Sequence, residues 1–442
     1  MKILVTPRLN GLNIKTNKPV EWLVRIQSSG KEHDESPVTA LHVAFVIDRS
    51  GSMVGKLEEA KHCIRRAVEK MGLPDQVAIV DYDDKVDTCL PLTLVGDAKF
   101  RIKSCLDALY PRGSTALHGA WIAGAEELAK SVNDVSLSRV VLISDGMANV
   151  GLTRSEQICP QVSALAAAGV STSTIGIGLG FNEELMVSIA RAGQGRAHYG
   201  ERVEDLAEAF GAELDLLKAV AYRNVTLMVP SSIDNHLELV NGYAKTDSGY
   251  QLPIIARGSE AWAVLRMPMH EALRYAITHP SFELTVNAKD ENGQIIVQTV
   301  TVKFPPILSD IAYAGLVPDM LTERRCLELF AADLQMRARE EARRGDWGAA
   351  AESIAELKRH AVDHDWIQAS IPFLEELIRR ADIEMFSKES YNKSDAMRSR
   401  IASVSEQISF SRREESDEAY YLRRKTAQGR RSDGDEPQEA KP

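Results

Sequence analysis

Between residues 42 and 217, unbroken apolar runs alternate with stretches whose apolar residues return every three or four positions. The runs at 43–47, 76–82, 139–144 and 170–177 have the near-continuous hydrophobic character of strands buried on both faces. After the first run, Leu57, Ala60, Ile64, Ala67, Val68 and Met71 fall on one helical face, which Gly72 and Pro74 bring to an end. The same spacing predicts helices over 98–109, 117–131, 154–168, 183–192 and 203–220, and 86–94 reads as an additional strand. Strands and helices in alternation imply a mostly parallel sheet covered on both faces. Residues 40–220 are therefore expected to form a doubly wound, Rossmann-like α/β domain.

On either side of this unit the pattern changes. Short strand-like segments at 2–7 and 20–28 precede it, and others at 224–230, 236–239, 261–266, 282–289 and 295–302 follow. Glu291-Asn292-Gly293-Gln294 marks a turn between the last two. Short strands separated by turns suggest a β-sandwich. We expect one discontinuous sandwich from 1–38 and 221–305, with the α/β domain inserted.

From 306 to 411 the spacing becomes helical. Leu327, Phe330, Leu334 and Ala338 line one helix, and Ala350, Ile354, Leu357 and Ala361 line the next. Gly345-Asp346-Trp347-Gly348 turns between them with Asp346 as a cap, in the manner of a tetratricopeptide hairpin. Pro372 suits the first turn of a third helix carrying Phe373, Leu377 and Ile378. Met397, Ile401, Val404 and Ile408 space as a heptad seam or as a face packed on the preceding helices. The charged segment 412–442 is expected to be disordered. Its basic residues Arg423, Arg424, Lys425, Arg430 and Arg431 belong either to a solvated tail or to a docking peptide.

Composition narrows the class. With 442 residues, 44% hydrophobic and 26% charged, the chain reads as a soluble globular protein of two or three domains. A net charge of -10 argues against general nucleic-acid binding. No apolar run approaches the length of a membrane span, and the first residues lack the apolar core of a signal peptide. The five cysteines form no Cys-x-x-Cys, and the expectation is five reduced thiols in a cytoplasmic protein.

Three segments carry candidate chemistry. Asp48-Arg49-Ser50-Gly51-Ser52 closes the first apolar strand, Gly113-Ser114-Thr115-Ala116-Leu117 opens a helix after a turn, and Ser144-Asp145-Gly146 closes another strand. Open α/β sheets bind ligands beyond the carboxyl ends of their strands. The side chains offered there are carboxylates and hydroxyls, hard oxygen ligands suited to Mg²⁺, Mn²⁺ or Ca²⁺ rather than zinc. The ordered trio resembles the metal-ion-dependent adhesion site of von Willebrand factor A domains. Asp48, Ser50, Ser52, Thr115 and Asp145 fill its five positions. The resemblance implies that the three hydroxyls touch a divalent cation and the two aspartates act mainly through bound water. The under-neutralised ion then takes a carboxylate from a partner protein. In the same family 86–94 would be an antiparallel edge strand, and the helix at 203–220 would be the one that moves when such a site switches. The overall layout resembles bacterial cytosolic A-domain proteins and, more loosely, inter-alpha-trypsin-inhibitor heavy chains.

Other motifs fall short. Gly51-Ser52-Met53-Val54-Gly55-Lys56-Leu57 is one residue too short for a phosphate-binding loop and has Leu57 where Ser or Thr is required. Gly176-Ile177-Gly178-Leu179-Gly180 lacks the dinucleotide spacing and reads as a strand-to-helix turn beside the site. Asn149, Asp83 and Asp84 are either rim residues or surface turns. His360 and His364 could share a metal but have no third ligand in reach of the pattern. His118 lies near Thr115 with no recognisable triad. The expectation is a non-enzymatic, metal-dependent interaction module or scaffold. The alternatives are an accessory subunit of an AAA+ ATPase carried on another chain, a structural homo-oligomer using the site for self-association, and a metal-dependent hydrolase.

Overall fold

The computed structural model describes residues 1–28, 40–133, 136–178, 180–200, 205–399 and 402–403. Its central sheet has six strands in the order Val86–Leu94, Gln76–Tyr82, Ala40–Asp48, Ser136–Ser144, Val170–Ile177 and Gln194–Gly200. Neighbours are parallel except at the outer edge, where Val86–Leu94 runs antiparallel to Gln76–Tyr82. Alternate side chains of each buried strand enter opposite layers. Val43, Phe45, Ile47, Val141 and Ile143 pack with helices Leu57–Glu69, Val95–Asp107 and Asp205–Lys218. Ala44, Val46, Val140 and Leu142 pack with Leu117–Ala129, Ser155–Ala167 and Glu183–Ala192. Two-sided burial is why these strands lack a polar alternation. The sixth strand, Gln194–Gly200, was not expected from the sequence. Its residues are mostly small or polar, so it carries no apolar run.

The chain fills the sheet outward in one direction from Ala40–Asp48, then returns to the other side of that strand with Ser136–Ser144. The order reverses between these two strands. Such a switch point leaves a crevice at the carboxyl ends. Asp48 and Ser144 are the last residues of the two strands that form it.

Two further antiparallel sheets are built from the flanking segments. One joins Lys2–Pro7, Val20–Gln27, Ser259–Met267 and Glu238–Leu239, and the other is centred on Val220–Met228, Ser281–Asp290 and Ile295–Lys303. Trp22, Val24, Ile26, Ala263 and Leu265 of the first share a core with Val225, Leu227, Leu284 and Val286 of the second. Trp22 meets Phe282 and Phe304 edge-on at 5.9 and 5.8 Å. The strand expected at 224–230 starts at Val220, one residue after helix Asp205–Lys218 ends. Helix Met269–Thr278 was not anticipated.

The C-terminal region is helical: Asp310–Ala314, Met320–Arg343, Trp347–His360, Asp365–Arg380 and Ile383–Ser399. Asp346 caps its helix by accepting from the Ala349 amide at 2.9 Å. Pro372 does not start the third helix. That helix begins at Asp365 because Ile367, Ile371, Leu374 and Leu377 form its buried face, which places the proline in the interior. The heptad reading also gives way. The last helix ends at Ser399, and Ala402–Ser403 pairs with Ser259–Glu260 as a strand. Ile401, Val404, Ile408 and all of 412–442 lie outside the described residues.

Cys89 on the edge strand and Cys105 on helix Val95–Asp107 form a disulfide with their Cα atoms 5.7 Å apart, while Cys63, Cys159 and Cys326 are free. This corrects the expectation of five reduced thiols. The partners come from different elements, so no spacing motif announces them, and the cytoplasmic expectation loses the support it drew from reduced cysteines. Among the described residues, no helix is long and apolar enough to cross a membrane.

Candidate metal centre

All five residues singled out from the sequence come together at the switch point. Asp48 is fully buried at its strand end, where Oδ1 accepts from the Ser50 amide at 2.8 Å and Oδ2 from the Ser144 hydroxyl at 2.6 Å. The hydroxyls of Ser50 and Ser52 are 3.0 Å apart. Ser52 also donates to Asp145 Oδ1 at 2.7 Å, and Lys56 Nζ donates to Asp145 Oδ2 at 2.5 Å. Burial pushes the Asp48 carboxyl up to about 6, against the hydrogen bonds from Ser144 and Ser50 that favour its charged form.

Gly146 shows where the hydroxyls point. A β-carbon added there would lie 3.2 Å from Ser52 Oγ, 3.4 Å from Thr115 Oγ1 and 3.9 Å from Ser50 Oγ. Three hydroxyl oxygens from two loops thus converge on space that any larger residue would fill. The donor set fits a hard divalent ion. Among the described residues, no group of three or more His, Cys, Asp or Glu is gathered as a metal site. Hydroxyls with two carboxylates are what this centre offers.

Backbone bonds stitch the loops together. Arg112 N donates to Arg49 O at 2.7 Å, Gly51 N to Gly113 O at 3.2 Å and Ala116 N to Asp83 O at 2.8 Å. Gly113 adopts φ +70°, and a side chain there would strike Asp84 and Asp83. Asn149 Oδ1 accepts from the Thr115 amide at 2.8 Å, while the Asn149 amide donates to Thr115 O at 3.2 Å. Asn149 is therefore a brace for Thr115. Asp83 is buried and takes Arg112 Nε at 2.6 Å, so it anchors the same loop from below.

Three contributors went unrecognised in the sequence reading. Ser144 fixes Asp48, Arg49 ties the loop to Asp81, Asp83 and Asp87, and Lys56 pairs with Asp145. The sequence signal at Lys56 is the Gly-x-x-x-Gly-Lys string, which points toward a phosphate-binding loop rather than toward Asp145. The other motifs fall elsewhere. Gly180 packs against the Asp145 carbonyl, 2.9 Å from an added β-carbon, and so borders the centre. His118 contacts Gln161 at 3.2 Å, His364 contacts Glu328 at 3.2 Å, and His360 stacks edge-on with Phe330. The two helix histidines are thus committed to different neighbours.

Residues 42–212 match the von Willebrand factor type A domain, and this segment of the chain is such a domain. Over 238 residues the chain is 25% identical to the uncharacterized protein YfbK of Escherichia coli (strain K12), covering 51% of this chain and 41% of that protein. Over 174 residues it is 31% identical to inter-alpha-trypsin inhibitor heavy chain H3 of Pongo abelii, covering 36% of this chain and 19% of that one. The match thus spans less than half the length of either relative. The solved von Willebrand factor type A structure from Catenulispora acidiphila aligns over 90% of this chain and 96% of its own with a TM-score of 0.66. At 14% identity that similarity extends the likeness of fold, and of fold alone, beyond the A domain to the flanking regions.

Proposed function

We propose that this protein is a non-catalytic recognition module that binds an acidic partner through a divalent cation held at the A-domain switch point. The observation that carries the reading is the convergence of the Ser50, Ser52 and Thr115 hydroxyls on the open side of Gly146, above two buried carboxylates. Ser50, Ser52 and Thr115 would hold the ion directly, and Asp48 and Asp145 would orient the surrounding hydrogen bonds. Mg²⁺ is the first choice, with Mn²⁺ or Ca²⁺ also suited to oxygen ligands. When bound, the ion supplies a concentrated positive charge able to accept a carboxylate oxygen. A hard site without thiolate or imidazole supports that choice. Both aspartates are engaged by side chains and backbone of the centre itself, which supports a binding role.

The test is a pull-down with tagged full-length protein in Mg²⁺ and in EDTA, beside the Thr115→Ala form, with bound proteins identified by mass spectrometry. A partner lost both in EDTA and in the variant supports cation-bridged recognition. A partner retained in both moves the function to the sandwich or the helices.

A further inference from the structure

Lys56 stands out because it is the cation that pairs with a buried carboxylate of the centre. It is the residue before helix Leu57–Glu69, follows Gly55 at φ +81°, and reaches back across the loop to the centre. Its ammonium is 2.5 Å from Asp145 Oδ2, and it passes beside Gly178, 3.5 Å from where a β-carbon would be. Asp145 is 1% exposed, so water does little to satisfy its charge, whereas the Lys56 side chain is 30% exposed. A cation paired with a buried carboxylate beside an ion cradle helps set the net charge of that cradle.

Charge balance gives the consequence. Asp48 and Asp145 against one Lys56 leave the empty centre with one net negative charge, and a divalent cation turns this into one net positive charge. Without the lysine, the same two carboxylates would balance the ion completely. We infer that Lys56 is an internal counter-cation of the metal centre, which stays paired with Asp145, opposes the divalent ion by its charge and keeps the loaded centre positive until an acidic partner arrives. The inference rests on the metal-centre reading above and adds a rule for its use: ion and carboxylate are taken up together more readily than the ion alone. Such mutual enhancement is reciprocal coupling between two ligands.

The experiment is calorimetric titration of Mg²⁺ into the full chain as wild type, Lys56→Gln and Lys56→Arg, each with and without acetate as a carboxylate probe. Lys56→Gln should bind Mg²⁺ on the order of tenfold more tightly than wild type, a factor typical of coupled sites. Lys56→Arg, which keeps the charge, should stay close to wild type. Acetate should strengthen Mg²⁺ binding in wild type more than in Lys56→Gln. Unchanged or weaker Mg²⁺ binding in Lys56→Gln overturns the inference, as does an equal response to acetate. Wild type that takes up no Mg²⁺ overturns the metal centre itself. The two failures are therefore distinct.

Discussion

Replacing Asp48 with asparagine should stabilise the metal-free protein at neutral pH while removing its ability to hold Mg²⁺. Asp48 is fully buried, and burial pushes its carboxyl up to about 6 from an ordinary 3.8. A raised carboxyl means that the folded chain holds the proton more tightly than the unfolded one. The stabilisation is therefore complete below about 3.8, is lost as pH rises through about 6, and is absent above it. At ~1.4 kcal/mol for each tenfold change in proton affinity, the gap corresponds to about 3 kcal/mol. An amide is neutral throughout and avoids this cost. Its oxygen can accept from the Ser50 amide, and its nitrogen can donate to the Ser144 hydroxyl, reversing one bond without orphaning either partner. The assay is urea unfolding in EDTA from about pH 4 to about pH 8 for wild type and Asp48→Asn. Subtracting one profile from the other removes shared titrations, including Asp81, which is also raised to about 6 by burial. The variant should match wild type at the acid end and exceed it by up to about 3 kcal/mol at the alkaline end. Added Mg²⁺ should stabilise only wild type. A variant less stable than wild type at neutral pH, or a difference that does not vary with pH, would refute the reasoning.

Other outcomes follow from single contacts. Thr115→Ala should lose the Mg²⁺-dependent rise in melting temperature with a cost in EDTA of about 1 kcal/mol or less, because the loop is held by the Thr115 backbone rather than its hydroxyl. Gly146→Ala should weaken Mg²⁺ binding by at least about tenfold in calorimetry, since Mg²⁺ tolerates little departure from octahedral geometry; unchanged affinity would put the ion elsewhere. Arg339→Ala removes bonds to Glu183, Glu184 and Ser387 and should cost about 2–3 kcal/mol in urea unfolding. Thiol labelling in denaturant without reductant should modify Cys63, Cys159 and Cys326, and labelling at Cys89 and Cys105 as well would overturn the disulfide between them.

The parts of the fold legible in the sequence are those where burial and period agree. Val43 to Ile47 reads as a strand covered on both sides, and the Leu57 to Met71 spacing reads as one helix face. Gln194–Gly200 was hidden because an edge strand made of small and polar residues has neither signature. Pro372 misled because proline is read as a boundary, whereas the face of Ile367, Ile371 and Leu374 set the helix. At the centre, the gathering of Asp48, Ser50, Ser52, Thr115 and Asp145 was legible because their order and strand-end context repeat a known arrangement. Ser144, Arg49 and Lys56 were not, since a serine inside a strand and two cations acquire meaning only when the chain brings carboxylates to them. The Cys89–Cys105 pair was missed for the same reason.

The helical region also bears on the centre, through the turn that borders it. Gly180 lies against the Asp145 carbonyl, and the next residue, Phe181, is gripped from outside the A domain. Lys388 Nζ donates to Phe181 O at 2.7 Å and lies 4.4 Å from the centroid of its ring. Two residues further on, Glu183 and Glu184 open helix Glu183–Ala192, where the helix dipole favours negative charge. Both accept from Arg339, at 3.0 and 2.6 Å, and Arg343 adds a bond to Glu184 at 2.7 Å. Arg191 near the end of the same helix pairs with Asp395 at 2.5 Å. One helix of the A domain is thus fixed at both ends by residues of the C-terminal region, and its leading turn is the wall behind Asp145. The position of that wall is a property of the assembled chain, since the A domain alone supplies none of the four cations and anions that grip it from the helical side. A truncated A domain would keep all five oxygen donors and lose the support of the surface they rest against. Divalent-ion affinity is therefore to be measured on the full chain, and a variant at Arg339 or Lys388 is to be read as a variant of the centre as much as of the helical region.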